Sequence, residues 1–362
     1  MSGASVIVRC DGGAEIGMGH VSRGLALADA LRQEHAVRVL FAMRGAASAG
    51  AAAVRAGGYP VEPIDAPDGA DYGDKLAAMA SSHAAGAIVV DVRDALSRAS
   101  LEAVRASGVR VVTIDDASDR RLAADLAFYP PVPQVDELDW TGFAGERFAG
   151  WAWVLVKREF ASGASARGVH ASDANPGVSP ATDILVTMGG SDPAGMTEFT
   201  VDALNLLPMP LAVQVVVGPA FARPNQLVAA IVRSPHAVRV VQSPPSMAAL
   251  MRASRVAVAS FGVSAYELAA CGVPAVHLCL SPDHARSASA FEREQIAVSL
   301  GVFPGVRPDA VSGAVARLIG DAACRMRMSA RALALVDGQG AARVARLVVD
   351  RAKASAGVNK SG

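Results

Sequence analysis

The segment DGGAEIGMGHVSRG, residues 11–24, joins a β-branched run, SVIVRC, to a long stretch rich in alanine and leucine. Gly17 and Gly19 would let backbone amides approach an anionic group, and the N-terminus of the following helix favours negative charge. His20 comes directly after them. An imidazole there can accept a proton from water near neutral pH, and the positive end of the helix dipole tends to keep it neutral, as a general base requires. A helix-start histidine that only bonds backbone or solvent has the same signature. Arg23, one turn on, could meet a phosphate or a carboxylate, or simply face solvent. Arg9 and Asp11 could pair with each other or contact a ligand. The pattern is not a dinucleotide fingerprint, because Ser22 stands where the third glycine would be, and it is not a P-loop, because no Gly-Lys-Ser/Thr follows.

Three further segments carry candidate chemistry. In TMGGSDP, 187–193, the turn Gly189-Gly190-Ser191 offers amides and a hydroxyl to a diphosphate, with Asp192 expected to cap the next helix; a plain strand-to-helix turn reads the same. In SFGVSAYELAACGVPAVHL, 260–278, a strand ends at Ser260 and Gly262 makes the turn. A helix opens near Ser264 and Ala265, with Glu267 about one turn inside. Helix amides and a serine hydroxyl suit phosphate oxygens, and a carboxylate one turn along can accept from two ribose hydroxyls. Glu267 could equally complement the helix dipole. Met247, in PPSMAALMRAS, is placed near the base-binding end of this site or in the core, and SPDHARSASAF supplies His284 and Ser287 where a sugar could bind.

The elements that must position these residues alternate regularly. SVIVRC (5–10), VRVLFAM (37–43), AIVVDV (87–92) and VRVVTID (109–115) read as buried strands, with helices over 20–33 and 97–108. The pattern restarts after residue 180, with strands at 181–190, 211–218, 236–242, 255–260 and 274–280. Short apolar strands joined by helices predict parallel sheets covered on both faces. The expected fold class is α/β, two doubly wound Rossmann-like domains facing a cleft, with ligands outside the carboxyl ends of the strands. The first domain is expected over 1–161, a Gly/Ser/Ala/Pro-rich linker over 162–180, the second domain over 181–336, and a terminal helix and tail over 337–362.

Composition narrows the function classes. Of 362 residues, 52% are hydrophobic and 19% charged, which supports two sizeable cores, and the formal net charge is zero. A nucleic-acid partner is not expected, because no basic excess or stripe is present and aromatic content is only 5%. The four cysteines, Cys10, Cys271, Cys279 and Cys324, follow no ligand spacing, so reduced, mostly buried thiols are expected and no metal site. Neither a signal peptide nor a membrane span is indicated; the expectation is a cytoplasmic protein without stable membrane insertion, monomeric or weakly oligomeric.

Taken in order, 9–31, 89–94, 112–126, 151–160, 186–197 and 260–278 resemble the nucleotide-sugar hydrolases of pseudaminic acid biosynthesis. Spore-coat polysaccharide proteins are relatives of that family, which is similar in fold to the GT-B glycosyltransferase that makes lipid II. The resemblance implies attack of water on the anomeric carbon of a UDP-activated amino or deoxy sugar, releasing UDP and free sugar with inversion, without cofactor or metal. Under it His20 would be the base and Gly17 and Gly19 would line the reaction centre. Ser264, Ala265 and Glu267 would hold phosphates and ribose, and Met247 would lie near the uracil. The sugar side departs from the family. Asp91-Val92-Arg93 stands in place of an Asp-His-Tyr run, Asp283-His284 in place of Asn-Gln, and AFYPPVP (127–133) in place of an asparagine-bearing segment. A GT-B glycosyltransferase using the same donor, or a non-catalytic nucleotide-sugar binding protein, remain alternatives.

Overall fold

SVIVRC forms β1, Ser5–Cys10, and all six of its residues are buried, as a strand covered on both faces must be. The computed structural model describes residues 5–13, 16–45, 47–64, 71–161, 182–218 and 221–358; the 162–180 segment expected as a linker lies outside the described residues. The chain divides into two compact units, Met1–Lys157 with Gln339–Gly362, and Arg158–Gly338.

In the first unit, β1 is followed by α1 (Gly19–His35), β2 (Arg38–Met43), α2 (Ala49–Ala56), β3 (Val61–Pro63) and α3 (Asp71–Ser82). Then come β4 (Ala85–Asp91), α4 (Arg98–Ala106), β5 (Arg110–Ile114), β6 (Leu126–Tyr129) and β7 (Glu146–Ala149). The seven strands pair in parallel in the order β3-β2-β1-β4-β5-β6-β7. Alternate side chains serve the two faces. Val6 and Val8 join Leu27 and Leu31 of α1 on one side, while Ile7 joins Tyr72 and Leu76 of α3 and Leu101 of α4 on the other.

The second unit runs β8 (Thr182–Thr187), α5 (Met196–Leu204), β9 (Ala212–Val217), α6 (Pro224–Val232), β10 (Ala237–Gln242), α7 (Met247–Arg252) and β11 (Ser254–Ser260). It continues through α8 (Val263–Ala270), β12 (Ala275–Cys279), α9 (Pro282–Arg293), β13 (Ala297–Val302), α10 (Pro308–Gly320) and α11 (Ala322–Leu335). Its six strands are parallel in the order β10-β9-β8-β11-β12-β13. The last helix, α12 (Gly340–Val358), leaves this unit and inserts Val344, Ala345, Val348 and Val349 into the core beneath α1.

Both sheets reverse their winding direction once, between β1 and β4 and between β8 and β11. Loops leaving the carboxyl ends of strands diverge at such a point and leave room for a ligand. The loops after β1 and β4, and after β8 and β11, hold most of the candidate residues.

Candidate functional site

In the first unit the loop after β1 closes on itself, with the Gly13 amide donating to the Gly17 carbonyl at 3.1 Å. Gly17 has φ 75°, a left-handed conformation that glycine adopts without Cβ strain. Gly19 then opens α1, whose N-cap, Met18, supplies no side-chain bond to the first amides. His20 follows, and its imidazole reaches across the switch point to the last residue of β4. His20 Nδ1 lies 2.6 Å from Asp91 Oδ1. An ionised carboxylate can only accept, so Nδ1 carries the proton and donates, which leaves Nε2 as the basic nitrogen.

The same carboxylate takes a forked pair of bonds from Arg23, whose Nε donates to Oδ2 and Nη2 to Oδ1, both at 2.8 Å. Arg23 Nη2 also stands 3.0 Å from His20 Nδ1. Both atoms are donors in this protonation state, so the shared carboxylate holds them together. Burial by itself raises the Asp91 carboxyl, but Arg23 and then His20 outweigh it and hold the group well below the usual carboxylate range. Asp91 is therefore a fixed anion that sets both the ring orientation and the tautomer of His20.

Asp115, just after β5, lies 3.6 Å from both Arg23 Nη1 and Arg93 Nη2. Burial pushes its carboxyl up, against the pull of Arg23 and Arg93. Its φ is 53°, a left-handed conformation costing a non-glycine residue about 1 kcal/mol, and the carbonyl it presents accepts from Arg93 Nη1 at 2.7 Å.

A buried layer braces these loops. Arg9, fully inaccessible, forks onto Asp11 through Nη1 and Nη2, each at 2.6 Å, and donates from Nη2 to Asp94 at 2.8 Å and from Nε to Tyr72 Oη at 2.6 Å. Arg120 donates to the carbonyls of Val92, Asp94 and Leu96. Arg9 and Asp11 are thus an ion pair, and the loop leaving Asp91 is held by its own carbonyl groups.

In the second unit Gly190 abuts Gly218, where an added Cβ would collide with the Gly190 carbonyl oxygen, so the loops after β8 and β9 touch through backbone. Asp192 caps α5 from outside the N-cap position, which is Gly195. Its buried carboxylate accepts from the Met196 and Thr197 amides at 3.0 and 2.7 Å. With those donors engaged, Gly189, Gly190 and Ser191 offer a ligand only the groups of the turn itself.

The start of α8 is different. Gly262 is its N-cap without a side-chain bond, and the first turn holds no acidic residue. Ser264 and Ala265 lie in that first turn, and Glu267 is buried one turn along, at 8% exposure. His284, whose amide donates to the Ser281 cap of α9, brings its ring to 6.2 Å from Phe261, beside the same loop. Ser287 is buried on α9, and half-buried Met247 opens the separate helix α7.

Asp91 and Asp115 were missed as functional residues by the sequence reading. The signal was available: each is an acidic residue at the carboxyl end of a buried strand, in VVD and TID. Among the described residues no group of three or more His, Cys, Asp or Glu is arranged to hold a metal ion, and no helix is long and apolar enough to cross a membrane.

Beneath the α8 loop, His277 on β12 is fully buried, 5.6 Å from the Phe261 ring and 5.4 Å from Phe291. Among the described residues neither of its ring nitrogens has a hydrogen-bond partner. Burial pushes its pKa down from 6.5 to about 4. Between those values the unfolded chain binds a proton that the folded chain refuses, so stability falls as pH drops through that window, by about 3 kcal/mol in full. Urea unfolding of wild type and His277→Leu at pH 7 and pH near 4 checks this. The variant is expected to lose that share of the acid sensitivity, and identical slopes would refute the assignment.

Each unit has the Rossmann-like α/β fold of GT-B glycosyltransferase structures. The chain is similar to MurG of Acinetobacter baumannii, with a TM-score of 0.72 and 15% identity over 96% of this chain and 99% of that one. It is similar to Anabaena Alr3699/HepE in complex with UDP, at 0.62 and 14% over 95% and 99%. A UDP-glucosyltransferase of Polygonum tinctorium gives 0.65 and 14% over 98% and 99%. No family model matches the chain. Among curated proteins, the spore coat polysaccharide biosynthesis protein SpsG of Bacillus subtilis (strain 168) is 26% identical over 170 residues. That match spans 46% of this chain and about half of the relative, 50% of its length.

Proposed function

We propose that this chain is an enzyme acting on a nucleotide-activated sugar, hydrolysing it to free sugar and nucleotide with His20 as the general base. The observation that carries the proposal is the 2.6 Å bond from His20 Nδ1 to Asp91, which directs a lone pair on Nε2 outward from the dyad. In the reaction, Nε2 takes a proton from water as the oxygen attacks the anomeric carbon. The bond from that carbon to the diphosphate oxygen breaks, and its electron pair leaves with the nucleotide. A single displacement inverts the anomeric centre. In the second unit, the start of α8, whose cap has no side-chain bond, and the Ser264 hydroxyl suit the phosphates of a nucleotide, and Glu267 its ribose. The likeness to HepE solved with UDP supports uridine, and that to SpsG supports a role in surface polysaccharide synthesis.

A second reading, transfer of the sugar to a saccharide or lipid hydroxyl in place of water, draws support from the glycosyltransferase named among the similar structures. The same base would serve. A panel of UDP-sugars, followed by NMR for nucleotide release and product anomer with and without acceptors, separates the two. Release with water alone is expected, and His20→Ala is expected to lower it at least about a hundredfold. Full turnover in that variant removes His20 from the mechanism; release only after an acceptor is added assigns transfer.

A further inference from the structure

At the carboxyl edge of the first sheet three aspartates lie inward: Asp91 is 2% exposed, Asp116 3% and Asp94 9%. The most exposed of the arginines beside them are Arg93, 51% exposed, and Arg44, 33% exposed. They follow β4 and β2, the two strands that flank β1, whose following loop leads to His20 at the start of α1. Arg93 is the better placed of the two. It shares Asp115 with Arg23, which in turn shares Asp91 with His20, so one unbroken chain of contacts links it to the base.

Among the described residues, the polar contacts of Arg93 are both with Asp115, through the carbonyl and the carboxylate. These contacts hold the guanidinium through Nη1 and Nη2, and a guanidinium has five N–H donors, more than these two contacts use. A planar cation anchored in this way is preorganised for a carboxylate, which takes two parallel N–H bonds. The anchor is itself specific, because Asp115 holds the left-handed conformation that presents its carbonyl.

We propose that Arg93 selects a sugar bearing a carboxylate, binding that group beside His20. The inference rests on the nucleotide-sugar reading above. It is tested by calorimetric titration of UDP, UDP-glucose and UDP-glucuronic acid, the two sugars differing only by a hydroxymethyl or a carboxylate group. Wild type is expected to bind UDP-glucuronic acid about tenfold or more tightly than UDP-glucose, and more so at low salt. Arg93→Gln is expected to erase that ratio and leave the affinity for UDP unchanged, while Arg93→Lys keeps part of it. The side chain is half exposed, so melting temperatures near wild type are expected for both variants. Equal affinities for the two sugars in wild type overturn the inference and leave the nucleotide reading standing. Equal weakening of UDP itself by Arg93→Gln overturns it also, by assigning the cation to the diphosphate. Failure of wild type to bind UDP removes the nucleotide reading and this inference with it.

Discussion

Asp91→Asn is expected to lower kcat by roughly a thousandfold with little change in the affinity for UDP. The substitution keeps size and shape but removes the anion that holds His20 in its Nδ1-protonated form. An asparagine amide can donate to Nδ1, and the proton then moves to Nε2, the nitrogen that has to be the base. Arg23 is affected as well, because both of its 2.8 Å bonds end on this carboxylate. A guanidinium released there would carry its charge next to the ring. The nucleotide contacts proposed for α8 do not involve this carboxylate, so the loss should fall in kcat and not in nucleotide binding. Rates of nucleotide release and titrations with UDP, run on the same preparations, separate the two quantities. A variant with kcat within a few fold of wild type would mean that the dyad only orders the loop.

Arg9→Met is expected to destabilise the first unit by about 3–5 kcal/mol, the range found when one member of a buried ion network is removed. Arg9 is inaccessible to solvent, and without it Asp11 loses its forked partner and Asp94 one of its cations. Burial raises the Asp94 carboxyl, and the Tyr72 hydroxyl together with Arg9 brings it below its ordinary value. That depression contributes stability which is present at neutral pH and lost as pH falls through the carboxylate range. The difference between wild type and variant in urea midpoint should therefore be largest near pH 7 and shrink toward pH 3. A gap that does not change with pH would attribute the effect to packing and not to charge.

Much of this was legible in the sequence, and the physical reason differs from element to element. β1, β4, β8, β11 and β12 are central strands buried on both faces, and their unbroken apolar runs mark them with little ambiguity. The strands not foreseen lie toward the sheet margins. β7 reads Glu-Arg-Phe-Ala and is mostly exposed, so it has no apolar period to detect, and β13 is interrupted by Ser299 and Gly301. β6 has only four residues between an arginine-rich turn and a proline pair, too short for a pattern.

The site divides in the same way. His20, Arg23 and the α8 segment were legible because glycines, a helix start and polar residues are contiguous in sequence. Asp91 was not, since its partner is 71 positions away and only the pairing of β1 with β4 brings them together. For Asp192 the chemistry was foreseen and the position was not: it caps α5 across an intervening turn that ends in left-handed Gly195.

The return of α12 to the first unit makes that unit discontinuous, with the whole of Arg158–Gly338 inserted between its parts. On the ribosome the inserted unit is complete before the residues that close the first core have been made. Until Val344, Val348 and Val349 arrive, one face of α1 lacks its cover, and His20 stands on an unfinished helix layer. A nascent chain halted before residue 340 would therefore carry a finished second unit and an unfinished first one.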